Sequence, residues 1–167
     1  WTKSGGVFNH NNGTFEYGVS APTSSTFNPG TDDFYNLNLV TWAANYTIAG
    51  TVNVANTFQF GTASGSSTNM SGGTINAKGH VNVLDNGLGT NTDTTNIQIN
   101  GTGNQTVTGG AGNSAWPTMT INKSSGTVTF AGTIRLHNTL NYLAGTVDPG
   151  TSTFIFYRLK DRKSTRL

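Results

Sequence analysis

The sequence predicts an all-β chain wound into a parallel β-helix, and three observations carry that reading. Apolar residues alternate with polar ones in short runs, turn formers interrupt the runs every few residues, and strand-sized units recur in a fixed order. Period-two alternation is the mark of a strand with one buried face. Gly (22), Thr (29), Asn (21) and Ser (13) make up about half of the 167 residues. These are mediocre to poor helix formers, so a helical protein is disfavoured. An antiparallel β-sandwich is the alternative, but sandwich strands usually alternate over longer stretches and close in about 100 residues.

The strands follow in order from Leu37-x-Leu39, Val52-x-Val54, Phe58-x-Phe60, Ile97-x-Ile99 and Ile134-x-Leu136. β-Branched and aromatic side chains take the inward positions and Thr most of the outward ones, as strands prefer. Between them, Asn12-Gly13, Asn28-Pro29-Gly30, Asn86-Gly87, Asn100-Gly101 and Asp148-Pro149-Gly150 supply turn geometry. One continuous buried stack is expected from Phe8, Phe15, Leu37, Leu39, Ile48, Val52, Val54, Phe58, Phe60, Ile75, Ile121, Phe130, Ile134, Leu136, Leu140 and Phe154.

Internal repeats support the solenoid. Gly5-Gly6-Val7-Phe8 leading to Phe15-Glu16-Tyr17 recurs as Gly72-Gly73-Thr74-Ile75 leading to Val81-Asn82-Val83. It returns as Ala144-Gly145-Thr146-Val147 leading to Phe154-Ile155-Phe156, at an ungapped offset of 139 from the first copy. A second unit recurs ungapped at an offset of 82: Phe34 to Leu39 matches Trp116 to Ile121, and Thr47 to Val54 matches Thr129 to Leu136. Insertions fall between Phe60 and Gly72 and between Val83 and Ile97. A solenoid accommodates them because each rung touches only its neighbours.

The segments Thr102 to Val107, Trp116 to Asn122, Ser125 to Phe130 and Phe34 to Leu39 resemble the β-strand-repeat regions of large bacterial secreted or surface proteins. The resemblance spans nearly all of residues 1–157. It implies an adhesin-like β-solenoid exposed at the cell surface or secreted, often a stalk holding other modules. It says little about activity, because fold does not imply function.

Residues 1–157 read as one solenoid segment of a longer array, and residues 158–167 as a separate tail. Five of the nine basic residues (Arg158, Lys160, Arg162, Lys163, Arg166) lie in that tail, while residues 1–157 hold four basic and six acidic residues. Asp161 to Leu167 matches the in-frame translation of a common sequencing adapter, so the tail is set aside as non-native and a nucleic-acid partner with it. No apolar run approaches the ~20 residues that a membrane-spanning helix needs, so none is expected. The absence of Cys excludes disulfides, thiolate metal sites and cysteine nucleophiles.

No residue pattern points to catalysis. Glycoside cleavage needs two carboxyl groups flanking one bond. Asp32-Asp33, the only adjacent pair, sits in a turn before a strand; Glu16 faces away from Phe15 and Tyr17; Asp148 opens a turn. His10, His80 and His137 are too scattered for a metal site. The six Asn-x-Ser/Thr sequons are what so much Asn and Thr produces by chance. Thr-x-Thr pairs read as ordinary solvent-facing strand positions. Of the three tryptophans, Trp116 aligns with strand-start Phe34 and so belongs to the core or its rim. Trp42, before the polar Ala43-Ala44-Asn45 turn, is the candidate glycan contact. The expectation is a structural or adhesive solenoid of an exported bacterial protein, extracellular or at the cell surface, with no catalytic residue, cofactor or metal. The expected partners are neighbouring repeats of the parent chain and surface glycans or other cell-surface polymers, and the isolated chain is expected to self-associate through two open ends. A carbohydrate-binding module or polysaccharide-active β-helix enzyme is the alternative.

If the tail is foreign to the fold, removing residues 158–167 leaves the circular dichroism spectrum and melting temperature unchanged. A fall beyond ~2–4 °C, equivalent to about 1 kcal/mol in a chain of this size, shows instead that the tail packs.

Overall fold

The computed structural model of the protein describes residues 1–20, 24–42, 45–61, 69–84, 93–112 and 115–157; for residues 19–20 and 41–42 it describes the backbone. Among these lie the strands β1 (Thr14–Ser20), β2 (Ser24–Phe27), β3 (Asp33–Trp42), β4 (Asn45–Ile48) and β5 (Thr51–Gly61). β6 (Asn69–Ser71), β7 (Thr74–Ala77), β8 (His80–Val83), β9 (Asn96–Ile99) and β10 (Gln105–Thr108) follow. The chain continues through β11 (Ala115–Trp116), β12 (Thr118–Ala131), β13 (Thr133–Leu136), β14 (Leu140–Asp148) and β15 (Thr153–Phe156). The protein is a parallel β-solenoid.

Among the described residues every strand pair is parallel, which excludes the antiparallel sandwich. Parallel neighbours need a crossover of a dozen or more residues, and here the other two sides of the coil supply it. On the first side Val52, Ile75, Ile97, Met119 and Leu140 stand in register, one on each successive coil. On the second side Phe15, Leu37, Phe58, Val81, Val107 and Phe130 do the same. Both sides belong to one nine-stranded sheet bent round a corner, and two three-stranded sheets, β2-β4-β6 and β11-β13-β15, form the third.

Strand lengths differ from expectation. β3, β5, β12 and β14 run 10, 11, 14 and 9 residues. Each leg is short, as the alternation predicts, but the backbone turns the corner without breaking the ladder. The turn shows as register shifts at Phe34/Asn36 and between Ile121 and Thr127.

The sequence repeats also resolve differently from the coil. Leu37 belongs to the column of Phe58, Val81 and Phe130, whereas its counterpart in the second copy of the longer unit, Met119, belongs to that of Ile75, Ile97 and Leu140. The offset between the two copies is not a whole number of coils, so the match steps to another side. Phe154, the counterpart of Phe15 in the shorter unit, likewise pairs with Ile134 on the third side. What repeats in the sequence is one strand-and-turn side. The insertions at 62–68 and 85–92, with the Asn86-Gly87 turn, lie outside the described residues.

Twelve of the sixteen residues expected inside are buried, from Leu37 to Leu136. The other four, Phe8, Phe15, Leu140 and Phe154, are half-buried against the same core. They sit in the end levels, where only one neighbouring level covers them. Phe27, Phe34, Tyr46, Met70, Trp116 and Val128 are among the further residues of the interior.

Phe58→Ala empties a fully buried site between two levels and should cost ~3–5 kcal/mol, read by denaturant unfolding. Phe156→Ala, at a side chain 65% exposed, should change stability by no more than ~0.5 kcal/mol. A reversed order means that the terminal level is covered in solution.

Candidate functional site

Two features stand out among the side chains: rows of amides on the outer faces, and a buried polar cluster at one corner. On the outside of the first side, Asn53 Nδ2 donates to Asp33 Oδ1 at 2.8 Å. Asn76 Nδ2 then donates to Asn53 at 2.9 Å, and Asn100 Nδ2 to Asn76 at 3.2 Å. On the second side Asn56 donates to Asn36, Asn36 to Thr14 Oγ1, and Asn82 to Gln59. Asn69 donates to Asn45 on the third. Stacked levels lie ~4.7–4.9 Å apart, a separation that one amide spans to bond the next. In each of these bonds the donor stands on the later level.

The corner cluster centres on Lys123. Met119 and Ile121 point inward on β12, and the same alternation carries Lys123 inside, where it is 2% exposed. Its Nζ donates to Gly101 O at 2.5 Å, Gly103 O at 2.8 Å and Gln105 Oε1 at 2.7 Å, which uses all three ammonium protons. Gln105, also buried, accepts from Gly101 N and donates to Ala77 O and Gly79 O. The cluster therefore joins three successive levels. Burial holds the Lys123 amine below the ordinary lysine value. Gly101 makes the close approach possible, since a Cβ there would lie 1.8 Å from Lys78 O. The three acceptors around Lys123 are carbonyl oxygens, so the cluster fills the corner with hydrogen-bonded polar groups.

Among the described residues the carboxylates do not gather in one site. Asp32 pairs with Lys3, Asp33 heads an amide row, and Glu16 faces solvent on β1. Asp148 accepts from Gly150 N at 2.9 Å and shapes its turn. Asp93 is buried, with Oδ1 accepting from Met70 N at 2.7 Å. His10 Nδ1 accepts from Asn12 N and His80 Nδ1 from Thr106 N. His137 packs against Tyr157, ring centroids 4.1 Å apart, and burial with the nearby Arg135 charge lowers its pKa. Among the described residues no three His, Asp or Glu gather where a metal ion would sit, and no pocket opens.

Trp116 is fully buried edge-on to Phe60, with centroids 5.3 Å apart. The backbone of Trp42 closes β3 opposite Ser20, and its side chain lies outside the described residues. The Thr-x-Thr pairs do not share one column: Thr106 and Thr108 adjoin Thr129 and Ala131 on the second side, while Thr118 and Thr120 adjoin Asn96 and Gln98 on the first.

Sequence reasoning missed both features, although each leaves a trace. Asn53, Asn76 and Asn100 recur at the coil period, and Lys123 continues the inward parity of Met119 and Ile121. No family model, no curated protein and no solved structure matches this chain.

Lys123→Met removes the donor from Gly101 O, Gly103 O and Gln105 Oε1, of which Gln105 Oε1 keeps Gly101 N, and should destabilise by ~1–3 kcal/mol for each buried acceptor left unpaired. The pH dependence has a definite sign. With its folded pKa below its unfolded one, Lys123 binds fewer protons folded than unfolded between the two values, so stability rises with pH through that window. Urea titrations from pH 8 to about 10.5 should show wild type gaining on Lys123→Met. A constant difference means burial leaves the amine unperturbed.

Proposed function

We propose that this chain is a structural or adhesive segment of an exported bacterial surface protein, a spacer that makes weak contacts repeated along its length and catalyses nothing. One observation supports the reading above others: the outer faces carry many uncharged amide groups, several tied to one another between levels. A neutral, hydrogen-bonding ligand with its own repeat, such as a surface glycan, suits such a face. Each contact is weak, and strength comes from repetition when many levels are displayed together. Among the described residues the carboxylates are dispersed, which argues against glycoside cleavage, since that needs two converging on one bond.

A glycan array, beside a reducing-sugar assay on the same polysaccharides, tests this. The expected outcome is weak binding of neutral glycans, unchanged by Trp42→Ala, with no new reducing ends. Tight, saturable binding of one glycan that Trp42→Ala abolishes identifies a carbohydrate-binding module instead. Release of a defined product identifies an enzyme and overturns the proposal.

A further inference from the structure

The tripeptide Asn-Gly-Thr stands at residues 12–14 and again at 100–102, in opposite surroundings. Asn-Gly is the dipeptide most open to spontaneous deamidation, because no Cβ keeps the glycine nitrogen away from the asparagine side chain. That nitrogen, having given up its proton to hydroxide, attacks Cγ of the asparagine. The N–Cγ bond forms, the Cγ–Nδ2 bond breaks, and Nδ2 leaves as ammonia with a proton from water. A water molecule then opens the succinimide to aspartate or isoaspartate.

The first copy lies in an exposed turn, where Asn11 and Asn12 take left-handed φ angles of 44° and 58°. Gly13 N donates to His10 O at 2.7 Å and Asn12 N to His10 Nδ1 at 3.0 Å, both within the turn itself. Opening an exposed turn costs little compared with opening the core, and once it opens Gly13 N is free to meet hydroxide. In the second copy Gly101 is buried, and its N–H donates to Gln105 Oε1 at 2.8 Å. Gln105 is in turn held by Ala77 O, Gly79 O and Lys123 Nζ. Asn100 N donates to Ala77 O and Asn100 Nδ2 to Asn76 Oδ1, both at 3.2 Å. Before Cγ of Asn100 can meet a deprotonated Gly101 N, the bonds to Asn76 and to Gln105 must both break.

We propose that Asn12 is a site of spontaneous deamidation in the folded chain, and that the corner cluster of Gln105 and Lys123 withholds the same chemistry from Asn100. The protection preserves the amide row: a carboxylate at position 100 has no proton to donate to Asn76. Gln105 and Lys123 are thus positioning residues for Gly101 N, besides satisfying the carbonyls of their corner. The inference does not depend on what the outer faces bind.

Peptide mapping by mass spectrometry of the full chain, held folded in mildly alkaline buffer, tests it. Asn12 should deamidate at least about tenfold faster than Asn100, the ratio that a 1.4 kcal/mol difference in opening gives. In guanidinium chloride at the same pH the two rates should converge, because both sites read Asn-Gly-Thr. Gln105→Ala, checked for folding by circular dichroism, should bring the Asn100 rate towards that of Asn12 and leave Asn12 unchanged. Amide exchange of the wild type makes the same comparison without a variant: Gly101 N–H should exchange at least about tenfold more slowly than Gly13 N–H. An Asn12 that stays intact, an Asn100 that deamidates as fast as Asn12 in the folded chain, or a ratio that persists in denaturant overturns the proposal. So does a folded Gln105→Ala whose Asn100 stays as slow as in wild type, or a Gly101 amide that exchanges as fast as Gly13.

Discussion

Parallel stacking in register, one level directly upon the next, is the constraint on which this structure depends. It requires that whatever a side chain does on one level be acceptable ~4.7–4.9 Å above and below. Inside, like packs on like, as in the column from Val52 through Ile75, Ile97 and Met119. Outside, the same rule brings amide over amide, so that Asn76 donates to Asn53 and Asn100 to Asn76. In a chain with 10% charged residues, stacked like charges, which would repel, are largely avoided on these faces. Asp33 is accommodated at the head of a row, where Asn53 donates to it.

The corners are where this rule is hardest to meet. A strand that bends without breaking aims some carbonyls into the interior, where unpaired polar groups are costly. At the corner around residues 101–105, Gly101 lets the backbones close up, and Lys123 and Gln105 supply the missing donors. A lysine inside a small core looks out of place on composition alone. It is explained by carbonyls that would otherwise have no partner.

How much of this is legible in the sequence depends on the range of the interaction. Alternation at Leu37-x-Leu39 or Ile134-x-Leu136 is local, and it identifies strands and their inward residues directly. Stacking is read at second hand, from repeats, and there the eye finds the commonest unit, which is one side. Hence Leu37 and Met119 look equivalent in sequence yet stand in different columns. The corner cluster and the packing of Trp1 on Phe15 and Phe27 are harder still. Lys123 meets Gln105 and Gly101 only after the coil has returned, and Trp1 reaches Phe27 across a span that no short window contains. The outward amides are visible as residues, but their bonding partners follow from the register alone.

That the sequence repeats by sides has a consequence for how such a chain tolerates change. All three sides make nearly the same demand, two inward apolar residues flanking one polar residue and a tight turn after them, so a unit suited to one side is suited to the others. Inserting or deleting one whole unit would carry every later strand round the axis by a third of a revolution without turning any residue from inside to outside. The length of such a rod is therefore adjustable in steps finer than a full coil. What resists the rotation is the small set of residues made for one place, such as Lys123 at its corner and Trp116 against Phe60.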